Sequence, residues 1–547
     1  MIKVFPRQAI GLIRCPCDGG EIFLTSTSED NGTGIVSGVV TCLTDSSHSY
    51  KIVDGILKLM LELESLDDKI QSEIQARDRQ AANYDIKLSS RFDKELPSTL
   101  GAIGSVLGKS VIEYGCGTGR ITKHLLGAEL IVAIDFSYES LVILAHKLSG
   151  QSNLALIQSE ITSVKIKPKS FDLAVSIQVI EHIPTSEMRA IFFNSVKDTL
   201  VDNGLFILSA YHFDLRRRLK NKPRIGQHNS GIYYHYFGQR EIRKEMERFF
   251  DFYFAKKIDI TWPMEARLHL NKLLGGPLSR LGEKIPGINN LGHLILIKAK
   301  RKPDFVHYQW GLVGKQFLTK HWFWFTEPKD IPGVAMVNFF SYKDVDCDGF
   351  YKKPGLTSIV DLRHSEGEIF GSFRTNFIQK QIQRGERNQI VVKHSQDFKS
   401  FRKLYQRFRK VYDLPKERIE PLQKIGEVFL AYYQNQLIAG GLFITNGSVM
   451  RAWALASLLD RSNILSREII GQANRVILWE AMRYAKSIGC SEFDLGGISP
   501  KSPDKHLRTL AEFKEAFGGQ RRVNYYYYKI YSPIIRLWMS LRGFKNI

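Results

Sequence analysis

The stretch Val111-Ile-Glu-Tyr-Gly-Cys-Gly-Thr-Gly119 decides the fold of the N-terminal half of the chain. An apolar run leads into a turn with glycine at every second position. Sixteen residues after Gly119, a second apolar run, Leu130-Ile-Val-Ala-Ile134, ends at Asp135. This order predicts a strand, a glycine-rich turn, a helix, a second strand and an acidic tip, which is the layout of a nucleoside-binding βαβ unit.

The glycine spacing and Glu113 indicate which ligand this turn takes. Glycine lets the backbone turn tightly and approach a ligand closely, and Asp135 would accept hydrogen bonds from a ribose diol. In the pyrophosphate fingerprint two residues separate the last two glycines, whereas one residue separates Gly117 from Gly119 here. A carboxylate at Glu113 repels a pyrophosphate and suits a cationic ligand. The pattern therefore favours S-adenosylmethionine over NAD.

These motifs resemble the class I S-adenosylmethionine-dependent methyltransferases. The later stretch Phe171-Asp-Leu-Ala-Val-Ser-Ile-Gln-Val-Ile-Glu-His-Ile-Pro184 is similar to the family's fourth strand and the turn after it. The resemblance implies cofactor contacts for Glu113 at the methionine amino end, Gly115, Cys116 and Gly117 along the ligand, Asp135 at the ribose, Phe136 and Ile161 on the adenine faces, Glu160 at the adenine amine, and Gln178 at the methionine moiety. A doubly wound nucleotide-binding fold with another ligand is the alternative.

His182 is the candidate catalytic base of this half. Methyl transfer is an in-line displacement at a sulfonium, so a base is needed only when the nucleophile carries a proton at neutral pH. His182 follows Glu181 at the carboxyl end of the fourth predicted strand, and His212 and His235 are alternatives. Packing of the strand end is the structural alternative for His182.

Residues 1–60 predict a small β-rich module with recurring cysteines. The segment resembles the zinc-ribbon-like module that precedes bacterial methyltransferase domains, and it departs from that pattern in two places. One residue separates the first two cysteines instead of two, and an aspartate stands where the fourth cysteine is expected. The resemblance implies a four-ligand zinc site made of Cys15, Cys17, Cys42 and either Asp45 or His48. A ribbon that folds on its apolar residues alone is the alternative.

The bulk composition is that of a multidomain globular protein with an unusual charge. A chain of 547 residues is too long for one core. The net charge of +21 implies an acidic partner such as RNA, an anionic membrane surface or a phosphorylated substrate, unless it is simply a solvated basic surface. The sequence shows neither a long apolar span nor a signal-peptide pattern, and its six cysteines form no disulfide framework. We therefore expect a cytoplasmic protein.

The second half carries a different set of ordered motifs. Strands are predicted at 428–433, 436–444 and 449–455, and a helix at 472–488, followed by Phe493-Asp-Leu-Gly-Gly497 and Phe513-Lys-Glu-Ala-Phe-Gly-Gly519. This order resembles the FemAB-like branch of the GNAT acyltransferases. The segment Arg467-Glu-Ile-Ile-Gly-Gln-Ala473 is one residue longer than the usual pyrophosphate loop of that fold. The resemblance therefore implies aminoacyl-tRNA rather than acyl-CoA as the donor.

Lys514 is the candidate catalytic residue of the second half. Acyl transfer needs a positive group at the developing oxyanion, and Lys514 resembles the family's lysine in the motif that ends at Gly519. A salt bridge that only supports the fold is the alternative for this lysine. A non-catalytic module that binds substrate, RNA or membrane is the alternative for the whole half.

The sequence thus predicts an α/β protein with three parts. Residues 1–60 form the zinc-ribbon-like module, 61–300 a Rossmann-like class I methyltransferase sheet with an N-terminal helical cap, and 301–547 a GNAT-like mixed α/β domain. The expected activity is bifunctional methyl and N-acyl or aminoacyl transfer to an amino sugar or a lipid-linked glycan precursor, with RNA as an alternative methyl acceptor. The tail, residues 530–547, carries apolar and basic residues that would suit an anionic membrane.

Overall fold

The computed structural model describes residues 4–30, 34–60, 68–82, 84–228, 231–262, 275–310, 319–414, 417–458, 467–533 and 535–536. The chain divides into two compact units, Met1–Lys302 and Pro303–Ile547. Among the described residues, no helix has the length and apolar character needed to cross a membrane. Most of the tail for which the sequence predicts a membrane contact, residues 537–547, lies outside the described residues.

The first unit contains fifteen strands and eight α-helices in its described residues. The strands are β1 (Ile13–Arg14), β2 (Ile22–Asp30), β3 (Ile35–Cys42), β4 (Ser49–Val53), β5 (Ile56–Lys58), β6 (Ser110–Tyr114), β7 (Leu130–Asp135), β8 (Leu154–Gln158), β9 (Lys165–Ile166), β10 (Phe171–Ile177), β11 (Leu200–Tyr211), β12 (Ile225–Gln227), β13 (Tyr233–His235), β14 (Phe250–Ile260) and β15 (Gly292–Arg301). The helices are α1 (Arg7–Ile10), α2 (Asp68–Ala81), α3 (Tyr84–Ile103), α4 (Tyr138–Lys147), α5 (Ser186–Thr199), α6 (Leu215–Leu219), α7 (Gln239–Met246) and α8 (Gly275–Lys284).

The main sheet of this unit has the order β14-β15-β11-β10-β6-β7-β8-β5-β4-β3-β2. Strands β11, β10, β6, β7 and β8 are parallel, and β14 and β15 complete one edge in antiparallel pairing. The chain runs outward from β6 through β7 to β8, and then returns to place β10 on the other side of β6. In such sheets ligands bind beyond the carboxyl ends of the strands where the order reverses. The structure therefore bears out the predicted Rossmann-like sheet and places a crevice beyond β6 and β10.

Both faces of the central strands are buried. One core includes Tyr114, Phe192 and Phe206, and a second core includes Val111 and Leu144. Successive side chains of a strand point to opposite faces, which explains why the two β6 residues fall in different cores. A parallel sheet covered on both sides is rigid, and it fixes the turns that leave β6 and β10.

The N-terminal strands belong to the same sheet. Strand β5 pairs in parallel with β8 through Ile56 opposite Leu156, and β4, β3 and β2 follow in antiparallel order. Residues 1–60, expected from the sequence to be a module of their own, thus extend the main sheet of the first unit. Hydrogen bonding along β5 removes what would otherwise be an open edge at β8.

The second unit contains ten strands and five α-helices in its described residues. The strands are β16 (Val306–Trp310), β17 (Lys320–Trp324), β18 (Met336–Ser341), β19 (Tyr351–Asp361), β20 (Val391–Ser395), β21 (Gly426–Tyr433), β22 (Gln436–Thr445), β23 (Val449–Ser457), β24 (Glu492–Gly497) and β25 (Gln520–Ile530). The helices are α9 (Glu366–Ser372), α10 (Lys380–Arg387), α11 (Phe398–Val411), α12 (Arg467–Ser487) and α13 (Lys505–Glu515).

These ten strands form one mixed sheet in the order β16-β17-β18-β25-β19-β24-β23-β22-β21-β20. Strands β23 and β24 run parallel but pair over three positions only, the last being Arg451 opposite Asp494. Beyond Arg451, β23 continues to Ser457 along β22, without β24 beside it. The sheet therefore opens between β23 and β24 on the side towards Gly497.

Candidate active sites

The turn after β6 is held in a left-handed backbone conformation. Gly115 and Gly117 have φ angles of +76° and +52°. A Cβ atom on Gly115 would lie 2.3 Å from Cγ2 of Val179, whereas one on Gly117 would meet no atom within 4 Å. Gly115 is therefore required both by its φ angle and by packing. Gly117 is required by its φ angle, and its open side faces the space where a ligand would lie.

The carboxylate of Asp135 fixes this turn from the end of the neighbouring strand. Its Oδ2 accepts the N–H of Gly117 at 2.7 Å, and its Oδ1 accepts the N–H of Ser137 at 2.9 Å. Burial raises the pKa of Asp135, and these two backbone donors act in the opposite direction. The sequence placed Asp135 correctly at the tip of β7, and the structure adds that its carboxylate supports the glycine turn directly.

A pocket lies against the turn. Eight of the residues predicted to serve the cofactor or the catalytic step line it, namely Glu113, Gly115, Cys116, Gly117, Asp135, Phe136, Gln178 and His182. Two predicted residues, Glu160 and Ile161, are not among the described residues that line the pocket. The Glu160 carboxylate accepts the N–H of Thr162 at 2.9 Å, and Ile161 is buried in a core.

Burial disfavours the charged form of two carboxyl groups that line the pocket. Burial raises the pKa of Glu113 to about 8, although the Thr122 hydroxyl donates a hydrogen bond to its Oε2 at 2.7 Å. Burial also raises the pKa of Glu73 to about 7. A cationic ligand would stabilise these carboxylates in their charged form, whereas a pyrophosphate would meet repulsion.

Helix α2 forms a wall of the pocket that residue-level prediction missed. Glu73, Arg77, Gln80 and Ala81 all line it, and the hydroxyl of Ser137 donates to Asp78 of the same helix at 2.6 Å. The sequence predicted a helical cap at the start of the methyltransferase part, centred on residues 73–85, without assigning a cofactor contact to any of these four residues. The signal that could have found them is the pairing of Glu73 with Arg77 one turn later, on one face of an otherwise polar helix.

His182 is the one of the three histidine candidates that lines the pocket, as far as the described residues show. Its Nδ1 lies 2.7 Å from the carbonyl oxygen of Tyr233, and burial holds its pKa well below the usual range. The ring is therefore neutral, donates through Nδ1 and keeps a free lone pair on Nε2. His212 bonds instead to the Gly292 carbonyl at 2.7 Å, and His235 faces Glu241 at 3.0 Å.

Two cysteines, a histidine and an aspartate meet near the N-terminus. The ligand atoms of Cys15, Asp18, Cys42 and His48 all lie within 4.8 Å of one another. Three of the pairs lie at 3.3–3.6 Å: Asp18 Oδ2 from Cys42 Sγ, Asp18 Oδ2 from His48 Nδ1, and Cys15 Sγ from His48 Nδ1. Ligands arranged as a tetrahedron around zinc, with bonds of about 2.0–2.3 Å, are separated by about 3.3–3.8 Å. The donor set and its spacing fit zinc.

The structure replaces one predicted ligand and selects between the two alternatives for another. Asp18, and not Cys17, completes the described cluster: both residues are exposed, but the Asp18 carboxylate lies 3.3 Å from Sγ of Cys42. Asp45 lies outside the cluster, with an oxygen 3.7 Å from Nε2 of His48. A carboxylate on the outer nitrogen of a metal-binding imidazole orients the ring, so Asp45 is placed to support His48.

The second unit has a cavity where β23 and β24 separate. It is lined by Tyr308, Lys320, Trp322, Trp324, Tyr405, Glu417, Arg451, Ala452, Trp453, Gly496, Gly497, Lys514 and Tyr526. Six of these side chains are aromatic and three are basic. Such a lining suits a ring-bearing ligand with a negative or polarised group.

A buried ion pair supports the floor of this cavity. The guanidinium of Arg451 and the carboxylate of Asp494 are 4% and 0% exposed and form a salt bridge. Asp494 also accepts the Tyr342 hydroxyl at 2.6 Å and the Gly496 N–H at 2.7 Å. Because every one of these bonds satisfies a buried charge, the arrangement fixes the last paired position of β23 and β24.

Lys514 projects from α13 to the same opening. Its Nζ donates to the carbonyl oxygen of Gly497 at 2.8 Å. Burial lowers the pKa of Lys514 to about 8, and the neighbouring charge of Arg451 acts in the same direction, against Asp494. At neutral pH the side chain is still mostly protonated, so it is a cation held beside a cavity.

Comparison with known proteins identifies the class of the first unit. Residues 112–208 match the family model described as a methyltransferase domain. The chain therefore contains a class I S-adenosylmethionine-dependent methyltransferase domain. No curated protein matches the chain significantly.

Solved structures that resemble parts of the chain have low sequence identity. An S-adenosylmethionine-dependent methyltransferase from Mesorhizobium loti is 18% identical, with 38% of this chain and 98% of that chain covered and a TM-score of 0.30. A putative S-adenosylmethionine-dependent methyltransferase from Listeria monocytogenes is 16% identical, with 39% and 100% covered and a TM-score of 0.31. A crystal structure of FemX is 13% identical, with 43% and 90% covered and a TM-score of 0.32.

Proposed function

We propose that the first unit transfers a methyl group from S-adenosylmethionine, and that the pocket between the glycine turn and α2 is its active site. The observation that carries this proposal is the set of buried acids, Glu73, Glu113 and Asp135, around one pocket at the carboxyl edge of the parallel sheet. When bound, S-adenosylmethionine supplies an electrophilic methyl group. Glu113 can pair with a cationic group of the ligand once its carboxyl ionises, and Arg77 and Arg120 line the same pocket.

Most of the roles expected of such a pocket have a candidate among the residues that line it. Asp135 would hold the ribose diol while it keeps the glycine turn in place. Glu113 would receive the methionine amino group, Phe136 would cover the adenine, and Gln178 would lie by the methionine chain. Glu160 and Ile161 lie outside the described lining, so the pocket gives neither of them a contact with the adenine.

His182 is placed to remove a proton from the methyl acceptor. Its neutral ring has an unprotonated Nε2, because Nδ1 is held at the carbonyl of Tyr233. Such a base suits a hydroxyl or an ammonium acceptor, both of which carry a proton at neutral pH. We place the acceptor among amino sugars and cell-envelope glycan precursors, which offer both kinds of group.

Binding of S-adenosylmethionine should release a proton. The pKa of Glu113 is about 8 in the free protein, so the group is mostly protonated at pH 7 and must ionise to pair with an ammonium. The affinity should therefore rise as the pH increases from 6 to above 8. Calorimetric titration of the full chain in buffers of different ionisation enthalpy measures both the affinity and the number of protons released.

Two variants test whether Glu113 is the group that ionises in this titration. Glu113→Gln should weaken binding by about tenfold or more and flatten the pH dependence, because a buried charge-assisted hydrogen bond is lost. Glu129 is exposed in the same unit, so Glu129→Gln is the matched control and should leave the affinity and its pH dependence unchanged. An affinity independent of pH in the unaltered protein, or equal effects of the two variants, would contradict the assignment.

We further propose that the second unit transfers an acyl or aminoacyl group to an amine. The support is the cavity at the separation of β23 and β24, with Lys514 at its edge. The amine attacks the acyl carbon, and the Lys514 ammonium stabilises the negative charge that develops on the carbonyl oxygen. The bond from the acyl carbon to the donor oxygen or sulfur then breaks, and the leaving tRNA hydroxyl or CoA thiol takes up the proton that the amine loses. The donor is aminoacyl-tRNA or an acyl-CoA. A chain that joins the two transferases would modify one substrate twice, since tethering raises the effective concentration.

Replacing Lys514 should separate an acyltransferase from a binding module. Lys514→Met should reduce acyl transfer by a factor of about 10² to 10³, the usual loss when one oxyanion donor is removed. The rate of the unaltered protein should fall above about pH 8, because the protonated form is the active one and the pKa is about 8. Lys514→Arg should restore part of the rate and move that decline to higher pH.

The assay pairs acetyl-CoA or charged tRNA as donor with a panel of amino sugars, lipid-linked sugars and peptides, read by mass spectrometry. Lys505→Met, on the exposed start of the same helix, is the matched control. If no donor and acceptor pair reacts, or if Lys514→Met turns over as fast as the control, the second unit is a binding module.

We propose zinc as the occupant of the cluster of Cys15, Asp18, Cys42 and His48. Metal analysis of the purified full chain should find about one zinc per chain, and chelation should lower the melting temperature, since a structural metal contributes to folding. Asp18→Ala and Cys42→Ser should lose the metal. Cys17→Ser is the matched control and should retain it. Equal loss of zinc in Cys17→Ser would overturn the ligand set.

A further inference from the structure

Helix α11 (Phe398–Val411) of the second unit separates its apolar and basic residues onto opposite faces. Phe398, Phe401, Leu404 and Tyr405 are buried and pack in the core beside β22 and β23. Lys399, Lys403 and Lys410 are exposed. At about 100° per residue these three lysines fall within about 40° of arc, on the side away from the core. Arg407, also exposed, lies next to them.

The other charges of the helix do not cancel this basic face. Arg402 pairs with Glu420 and Arg409 with Glu417, so the two arginines nearest the core are already neutralised. Asp397 caps the N-terminus of the helix, where its carboxylate accepts the N–H of Ser400. One further acid, Asp413, follows the last turn. The lysine face therefore keeps a net positive charge.

Apolar side chains are exposed where the helix ends: Val411 lies about 100° around the axis from Lys410, and Tyr412 and Leu414 follow the last helical residue. Val411, Tyr412 and Leu414 are 48%, 44% and 43% exposed. Lysines followed by exposed aliphatic and aromatic side chains suit an anionic bilayer, where cations meet the headgroups and apolar groups enter the acyl boundary. RNA would use the lysines but would give Val411 and Leu414 no favourable contact.

We propose that α11 docks the protein on an anionic lipid bilayer. The helix also contributes Tyr405 to the cavity that contains Lys514, and Glu417, bonded to Tyr405 at 2.8 Å, lines it as well. The lysines lie on the side of α11 opposite to Tyr405, so docking would hold the cavity about one helix diameter, roughly 10 Å, from the bilayer in which a lipid-linked acceptor would lie. The role of docking in bringing the Lys514 cavity close to its acceptor rests on the proposed acyl transfer. The docking itself follows from the charges and exposed side chains of the helix.

Vesicle sedimentation of the full chain tests the proposal. Vesicles of phosphatidylcholine with about one third phosphatidylglycerol should bind the protein, and phosphatidylcholine alone should bind it about tenfold more weakly or less. The combined variant Lys399→Glu, Lys403→Glu, Lys410→Glu should weaken binding to the anionic vesicles by about tenfold or more. The pair Val411→Ser, Leu414→Ser should weaken it several-fold with no change of charge.

A matched control shows whether a loss of vesicle binding is specific to α11 or follows from the total charge alone. The variant Lys380→Glu, Lys501→Glu, Lys505→Glu changes three exposed lysines of the same unit by the same total charge and should bind vesicles like the unaltered protein. The proposal would be overturned if both triple variants lost vesicle binding equally, or if the unaltered protein bound neutral and anionic vesicles equally. It would also be overturned if the α11 triple variant lost tRNA binding but kept vesicle binding. Acyl transfer to a water-soluble acceptor should survive the α11 changes, so a failure of docking and a failure of the transferase assignment are distinguishable.

Discussion

Asp135 ends β7 with a buried carboxylate that accepts the backbone N–H groups of Gly117 and Ser137. These two hydrogen bonds tie the start of α4 to a turn whose residues have positive φ angles. The same carboxylate would be the ribose acceptor. The ligand contact and the shape of the binding turn therefore depend on one side chain.

In the second unit, a buried ion pair fixes the geometry of the strands beside the cavity. Arg451 and Asp494 form a salt bridge at the last paired position of β23 and β24, and the cavity begins where those strands separate. A buried pair of this kind is costly to break and fixes geometry more than it adds stability. Its positive member also helps to lower the pKa of Lys514, so the support of the fold and the chemistry of the cavity are electrostatically linked.

Local sequence predicted most of the first site because its determinants are close together in the chain. The glycine turn, Asp135 and the stretch from Gln178 to His182 each follow a strand that the apolar pattern reveals. Arg77 was not assigned to the site because the Glu73–Arg77 pairing along α2 does not by itself say over which part of the sheet that helix folds. Asp18 was missed because its neighbour Cys17 is the stronger metal ligand by type, and only the turn geometry separates the two.

The most direct test is a crystal structure of the full chain grown with S-adenosylmethionine. The ligand should occupy the pocket beside Gly117, with its ribose hydroxyls on Asp135 and its amino group on Glu113. Arg77 and the rest of α2 should cover it. A ligand bound elsewhere, or one that leaves the carboxylate of Asp135 without a contact, would contradict the assignment of this pocket as the methyl-transfer site.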